Sequence, residues 1–262
     1  MSVEKRLQFE EIEQKALDFN RKGDNENAIF WYEKGAELAL ALHTFANDLS
    51  PYQGIEGHYK NDPNFDQAYW DLSSQIHFFS QYAGCLCVLN HLDKAHEIAQ
   101  IAQSFLDKTD FLRPFRKDLY TLGSVYFQRQ EFQKAAQYYA QTLTKYELDL
   151  GNSDGQAIGF AFVRKGLCHW HLGERELAKA TFTEGEKAVK LTAVGKNFFI
   201  YYFLYQISIS DNDEKQANKY KKMYLNRLKK EDLGSLNEQF DDNFIAQSDR
   251  EKIMTHRTQS VS

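Results

Sequence analysis

The chain has 262 residues, with 32 Lys and Arg against 37 Asp and Glu, a formal charge of −5, and 42% hydrophobic, 26% charged and 15% aromatic residues. That mix can pack a core, which excludes wholesale disorder, and the acidic balance argues against a duplex nucleic-acid binder, which draws affinity from neutralising phosphates. Fourteen Gly and three Pro are too few for the turns of a sandwich, a barrel or a doubly wound sheet, and no proline follows Pro114, so a mostly helical chain is expected.

The elements follow in chain order as helical pairs. The first pair is expected over 4–22 and 25–46. Ala16-x-x-Phe19 leads there to Gly23-Asp24, then to Ala28-x-x-x-Tyr32. Gly23 reads as a helix stop and Asp24 as an N-cap. Residues 47–65, with two of the three prolines, carry no repeat and read as an excursion between hairpins. Loops of that length inside a compact array are often functional or disordered. The second pair is expected over 66–89 and 92–108, with Ala83-x-x-Leu86, Leu92 and Ala95-x-x-x-Ala99. The third runs over 115–130 and 132–150, with Leu122-Gly123-x-x-Tyr126, Phe132 and Ala135-x-x-x-Tyr139. The fourth runs over 156–172 and 174–192, with Gly166-x-x-His169, Leu172-Gly173 and Ala178-x-x-x-Phe182. A fainter fifth spans 196–210 and 213–230, with Tyr201, Leu204, Asp213 and Ala217. In each, a small residue stands where two helices must approach, and larger ones fill the gap beside it. From Asp232 a terminal helix or tail is expected, with Leu236, Phe240, Phe244 and Ile245 as a sparse apolar stripe. It suits the polar cap that the end of a repeat array needs.

The recurring string resembles the tetratricopeptide repeat (TPR). The best copies are Leu119 to Leu143 and Gly159 to Phe182, and with the weaker ones the resemblance covers roughly residues 5 to 230. The spacing of Ala95, Ala135, Ala178 and Ala217 is 40, 43 and 39 residues, longer than the usual period of about 34. The stretch Leu148 to Phe162 looks like the longer-helix variant that the family uses in peptide sensors and signalling adaptors. The resemblance implies an all-α, right-handed α-solenoid of about five hairpins over residues 1–230, with the insertion at 47–65 and a capping helix or tail over 231–262.

In the family, a stripe on the first helix of each hairpin faces the concave groove. Transferred here, the stripe holds Glu10, Glu13, Leu17, Asn20 and Arg21. His77, Ser80, Gly84, Cys87 and Val88 follow, then Lys117, Tyr120, Ser124, Phe127 and Gln128. The fourth hairpin gives Phe160, Val163, Leu167, Trp170 and His171, and the fifth Phe199, Tyr202, Gln206 and Ile209. Members that clamp the C-terminal carboxylate of heat-shock chaperones use Lys, Asn and Arg donors on this stripe. The equivalent sites here are Glu13, Leu17, Gly84, Tyr120 and Ser124, so no clamp is expected. The expected partner-binding groove is instead aromatic: Tyr120, Phe127, Gln128, Phe160, Val163, Leu167, Trp170, His171 and Tyr202. Such a surface suits a hydrophobic peptide or an amphipathic helix. Self-packing, with the rings covered by long helices or by the tail, is the alternative reading.

Other signals carry less. Three cysteines, Cys85, Cys87 and Cys168, form no disulfide framework and suggest a reducing compartment. Cys85 and Cys87 point about 200° apart on a helix, which disfavours a shared metal. His169 replaces an aromatic inside its hairpin and reads as a satisfied core histidine. No phosphate-cradling loop and no nucleophile elbow occur. The start of the chain lacks the apolar run of a signal peptide. The longest apolar run, Phe198 to Tyr205, is too short to span a membrane. A cytoplasmic protein with no catalytic site, metal or cofactor is expected. The function expected is a non-enzymatic adaptor or scaffold for another protein. A peptide-sensing receptor of the TPR type is the alternative, and a third reading is an RNA-associated factor using the basic helix 215–230.

Overall fold

The computed structural model describes residues 3–42, 63–107, 116–144, 154–189, 198–229 and 233–261. Among them it places helices α1 (Val3–Arg21), α2 (Asn25–Ala41), α3 (Pro63–Val88), α4 (Leu92–Leu106), α5 (Arg116–Gln128) and α6 (Phe132–Leu143). Then come α7 (Asp154–His171), α8 (Arg175–Val189), α9 (Phe199–Ser210), α10 (Glu214–Leu228), α11 (Leu233–Asp242) and α12 (Gln247–Val261). No described residue is in a strand. The fold is an all-α solenoid of helical hairpins. It divides into two compact units, Met1–Gln130 and Glu131–Ser262.

Each predicted hairpin turn contains one residue with left-handed backbone. Gly23, Asn90, Gln130, Gly173 and Asn212 have φ of 76, 61, 61, 74 and 56°. In the first turn the Gly23 N–H donates to Asn20 O (2.9 Å) and the Asp24 N–H to Phe19 O (3.0 Å). The same pair recurs from Asn90 and His91 to Cys87 and Leu86, from Gly173 and Glu174 to Trp170 and His169, and from Asn212 and Asp213 to Ile209 and Ser208. These two bonds satisfy carbonyls that a helix end would otherwise orphan. Each of these five residues stands five positions before an anchor alanine: Ala28, Ala95, Ala135, Ala178 or Ala217. The fifth, fainter repeat therefore has the same turn as the others. Asp24 and Asp213 cap the next helices, accepting from the Asn27 N–H (3.3 Å) and the Gln216 N–H (3.0 Å).

The small residues stand where helices meet. A Cβ on Gly166 of α7 would lie 2.4 Å from the Phe182 ring of α8. On Gly84 of α3 it would lie 2.8 Å from the Thr121 methyl of α5, and on Gly35 of α2 it would lie 2.9 Å from Ile12 and Phe78. Anchor alanines Ala28, Ala95, Ala135 and Ala178 are fully buried.

Large rings fill the space beside them. In the first unit Tyr32 stacks on Tyr82 (5.5 Å) and meets Phe78 edge-on (5.0 Å), while Phe79 stacks on Phe105 (5.9 Å). In the second unit Phe182 stacks on Phe203 (5.5 Å), and Trp170 lies 4.6 Å from Phe203.

Some boundaries differ from expectation. The helix expected over 132–150 ends at Leu143, because Thr144 turns to extended backbone (ψ 132°). The hydroxyls of Thr142 and Thr144 bond back to Tyr138 O and Ala140 O, a competition with the backbone ladder that weakens a helix end. Residues 63–65, expected in the insertion, begin α3, where Pro63 loses no helical hydrogen bond. The rest of the insertion lies outside the described residues. The expected terminal helix or tail is two helices, α11 and α12, joined at Phe244.

Two outcomes follow from the turns and crossings. Gly23→Ala meets no atom within 4 Å, so its cost is backbone strain alone. It should lower stability by about 1 kcal/mol, and Gln130→Gly should raise it by about 0.5 kcal/mol, both read from urea midpoints. Gly166→Ala must displace the buried Phe182 ring and should cost about 1–3 kcal/mol, seen as a lower melting temperature than that of Gly23→Ala.

Candidate functional site

The first helices of the hairpins carry the predicted groove residues, and the two units treat them differently. In the first unit the seams between α1, α3 and α5 are polar. The Arg6 guanidinium pairs with Asp71 at 2.5 Å, and the Asn20 amide donates to Gln81 at 3.2 Å. His77 Nδ1 lies 3.0 Å from Asp118, which also accepts from the Ser80 hydroxyl. Burial opposes charge on His77, yet the Asp118 hydrogen bond and the Asp118 and Glu13 charges outweigh it and raise its pKa. Burial pushes Glu13 up to about 7, with Glu10 adding to the shift and His77 opposing it. The Ser80 hydroxyl has the Asp118 carboxylate and the His77 carbonyl as its acceptors. Tyr120 and Gln128 are half-buried on α5, and Phe127 is fully buried.

In the second unit the seam is aromatic. The second half of α9 has Gln206 half-buried and Ile209 exposed, but in its first half Phe199 through Leu204 are apolar and buried around the whole circumference. A stretch of that kind must be covered on every side. One side packs against α8 and another against α10. The C-terminal segment supplies further cover: Phe240 of α11 meets Phe199 at 6.4 Å, and the Tyr202 hydroxyl donates to Asp249 of α12 at 2.6 Å. Burial first, and Asp249 second, hold the Tyr202 phenol well above its usual pKa. Tyr224 of α10 bonds His256 of α12.

The same segment reaches α7. Arg164 and His171 lie seven residues apart, on one face of the helix. The Arg164 guanidinium donates to the Asp242 carbonyl (2.8 Å), and His171 Nε2 donates to the Asn243 carbonyl (3.0 Å). These carbonyls are at the C-terminal end of α11, the negative end of its dipole. The His171 ring stacks on Phe132 of α6 (4.4 Å), and Phe244 meets both rings edge-on at 6.4 and 6.0 Å. Phe244 has φ 50°, a strained geometry for a bulky side chain.

The remaining predicted groove residues of this unit divide by exposure. Phe160 is 42% exposed, and Val163 and Leu167 are core residues. Trp170 is half-buried, with the Arg175 guanidinium 3.5 Å from its ring centre. Sequence reasoning missed Arg164, Phe132 and Phe244 as members of this cluster. The apolar run Phe198 to Tyr205 is the signal in the sequence that the start of α9 needs a cover.

The other singled-out residues have structural partners. Burial pushes the Cys85 and Cys168 thiols up to about 12. The Cys87 thiol lies 3.9 Å from the Ser124 carbonyl. His169 is mostly buried and pairs with Glu174 at 2.6 Å. On α10, Ala217, Tyr220, Tyr224 and Leu228 face the core, while Lys215, Lys219 and Lys222 are exposed. The Lys219 ammonium lies 3.5 Å from Glu186. No described helix is long and apolar enough to cross a membrane.

The alternation of small and large residues, the left-handed turn five positions before each anchor alanine, and the stacking of hairpins agree with the resemblance read from the sequence. The chain is TPR-like. No family model matches the chain, and no curated protein matches it. Among solved structures it is similar in fold to PilW, described as a widely conserved type IV pilus biogenesis factor. That likeness has 12% identity over 97% of this chain and 100% of that one, with a TM-score of 0.43. Pseudomonas aeruginosa pilF shows 16% identity over 90% and 98%, with a TM-score of 0.43. The TPR2AB domain of yeast Sti1, in its pHSP90 complex, shows 12% identity over 97% and 99%, with a TM-score of 0.36.

Opposite pH dependences are expected in the two units. Burial lowers the pKa of His171, against the pull of its Asn243 acceptor, and burial with Lys221 and Lys252 lowers that of His256. Both groups favour the folded state above pH 6.5, and that stability is lost as pH falls. Glu13 is raised, so its contribution is lost as pH rises from 4.5 through about 7, and His77 is raised, so its contribution is lost as pH rises above 6.5. Hydrogen exchange should therefore show α11 and α12 less protected at pH 5.5 than at 7.5, with the trend reversed in α1 and α3. His171→Gln should flatten the first trend.

Proposed function

We propose that this chain is a non-enzymatic adaptor that holds a segment of another protein against the first helices of its hairpins. The observation that carries the reading is in the second unit. There α7 and α9 already hold a short helical segment through one row of side chains, Arg164, His171, Phe199 and Tyr202. A surface that binds one amphipathic helix by burying rings and satisfying its terminal carbonyls can bind another of the same pattern.

Of the expected groove residues, Phe160 and Trp170 are the accessible aromatic anchors of this unit; in the first unit Tyr120 is a half-buried ring and Gln128 a half-buried amide. Phe127, Val163, Leu167 and Tyr202 shape the surface from beneath, because their side chains are buried. Preformed helices limit the entropy cost of binding to the partner, and each well-buried aromatic anchor is worth about 2 kcal/mol or more. The stripe positions Glu13, Leu17, Gly84, Tyr120 and Ser124 supply no cationic donor for a chaperone carboxylate.

The test is affinity capture from the native cell with the full chain and with the Phe160→Asp, Trp170→Ala variant. The variant should keep its helical circular dichroism and lose the proteins that the wild type retains. Retention of the same proteins at the same yield would place the binding surface elsewhere.

A further inference from the structure

We propose that the C-terminal segment, residues 233–261, is a built-in competitor that occupies the docking site of a partner helix on α7 and α9. The partner is an amphipathic helix with the spacing of large apolar residues that α11 itself has, Leu236 and Phe240, and with free carbonyls at its end. This rests on the scaffold reading above and deepens it by naming the occupant and its rival.

Three observations carry the inference. First, the ties from α7 to the segment go to main-chain oxygens. Arg164 and His171 donate to the carbonyls of Asp242 and Asn243. Any helix that ends there offers the same acceptors with the same dipole. These ties read the shape of a helix end rather than its side chains.

Second, the segment is a poorly optimised ligand. Phe244 sets its ring against Phe132 and His171 only by adopting φ 50°, which carries a strain that a non-glycine residue rarely accepts. Helix α11 has ten residues, fewer than the 12–15 or so at which an isolated helix is even marginal in water. Its order depends on the surface it sits on. A partner segment with a longer helix, or without the strained turn, avoids both costs.

Third, the face beneath cannot stay bare. Phe199 and Tyr202 are fully buried, and Phe240 and Asp249 are among the residues against them. Removal of the segment would open an aromatic face to water, so release is expected to be coupled to replacement. Charge favours the exchange. Helix α10 sets Lys215, Lys219, Lys221, Lys222 and Arg227 against Glu214 alone, while the segment carries Glu238, Asp241, Asp242, Asp249 and Glu251 against Arg250, Lys252 and Arg257. An acidic rival helix would be steered to the same place.

The probe is a fluorescent synthetic peptide of residues 233–261, added to the full chain and to the full chain carrying Phe240→Ser and Phe244→Ser. A tethered segment competes at an effective concentration of about millimolar. The peptide should therefore bind the weakened chain at least about tenfold tighter than the wild type, read by anisotropy. Equal affinity for both chains would overturn the competitor role. So would failure to bind the weakened chain while its circular dichroism remains helical. Because the double substitution borders the core at Phe199, hydrogen exchange of the wild type provides a second measurement. Amides of α11 and α12 should exchange together, about tenfold faster than those of α9 and α10. Equal protection would make the segment a fixed part of the core and end the proposal. If wild-type and weakened chains capture the same cellular proteins in equal amount, the competitor role fails while the scaffold reading stands. If neither chain captures any protein, both fail.

Discussion

Two helices of a hairpin can lie against each other only where a side chain is small enough to let them. At Gly166 there is no room for even one methyl group before the Phe182 ring of α8 is reached. Gly84 plays the same part between α3 and α5, and Gly35 between α2 and its neighbours. Close-packed interiors turn such contacts into geometry, because a missing methyl on one helix is filled by a ring on the other. The stacked aromatic pairs of each unit are the reverse side of this constraint. So is the repeat itself, since the same crossing must be solved once per hairpin.

Given that shared frame, the units diverge in what lies along their first helices. The first unit ties α1, α3 and α5 together with ion pairs and hydrogen bonds: Arg6 with Asp71, Asn20 with Gln81, His77 with Asp118. These contacts tie the helices through polar groups, while Leu7 and Trp70 of the same unit are exposed. In the second unit the first half of α9, Phe199 through Leu204, is apolar and buried on all sides. The chain provides α11 and α12 as part of that cover. In the proposed reading, a partner helix and α11 compete for this same surface.

Much of this was legible in the residues. The turn positions were, because a left-handed residue followed by a capping position leaves a mark such as Gly23-Asp24 or Asn212-Asp213. The anchors were, because a close helix crossing needs a small side chain at the contact and a ring one helical turn further on, the spacing of Ala28 and Tyr32 or of Ala178 and Phe182. Phe127, Val163 and Leu167 were legible as apolar stripe residues, but their burial was not. A stripe transferred from a related fold marks a helix face, not how far each side chain reaches from it.

The sequence by itself determined that the chain is helical, where its hairpins turn, and which small residues face large ones, since these depend on spacing within some forty residues. Tertiary structure alone decided that Arg164 and His171, 78 and 72 residues from their acceptors, meet the end of α11, and that Phe244 accepts a strained backbone to reach Phe132. Local propensity holds no information about such pairs. They form because the apolar first half of α9 lowers its free energy when another segment covers it, and many sequences could have served as that cover.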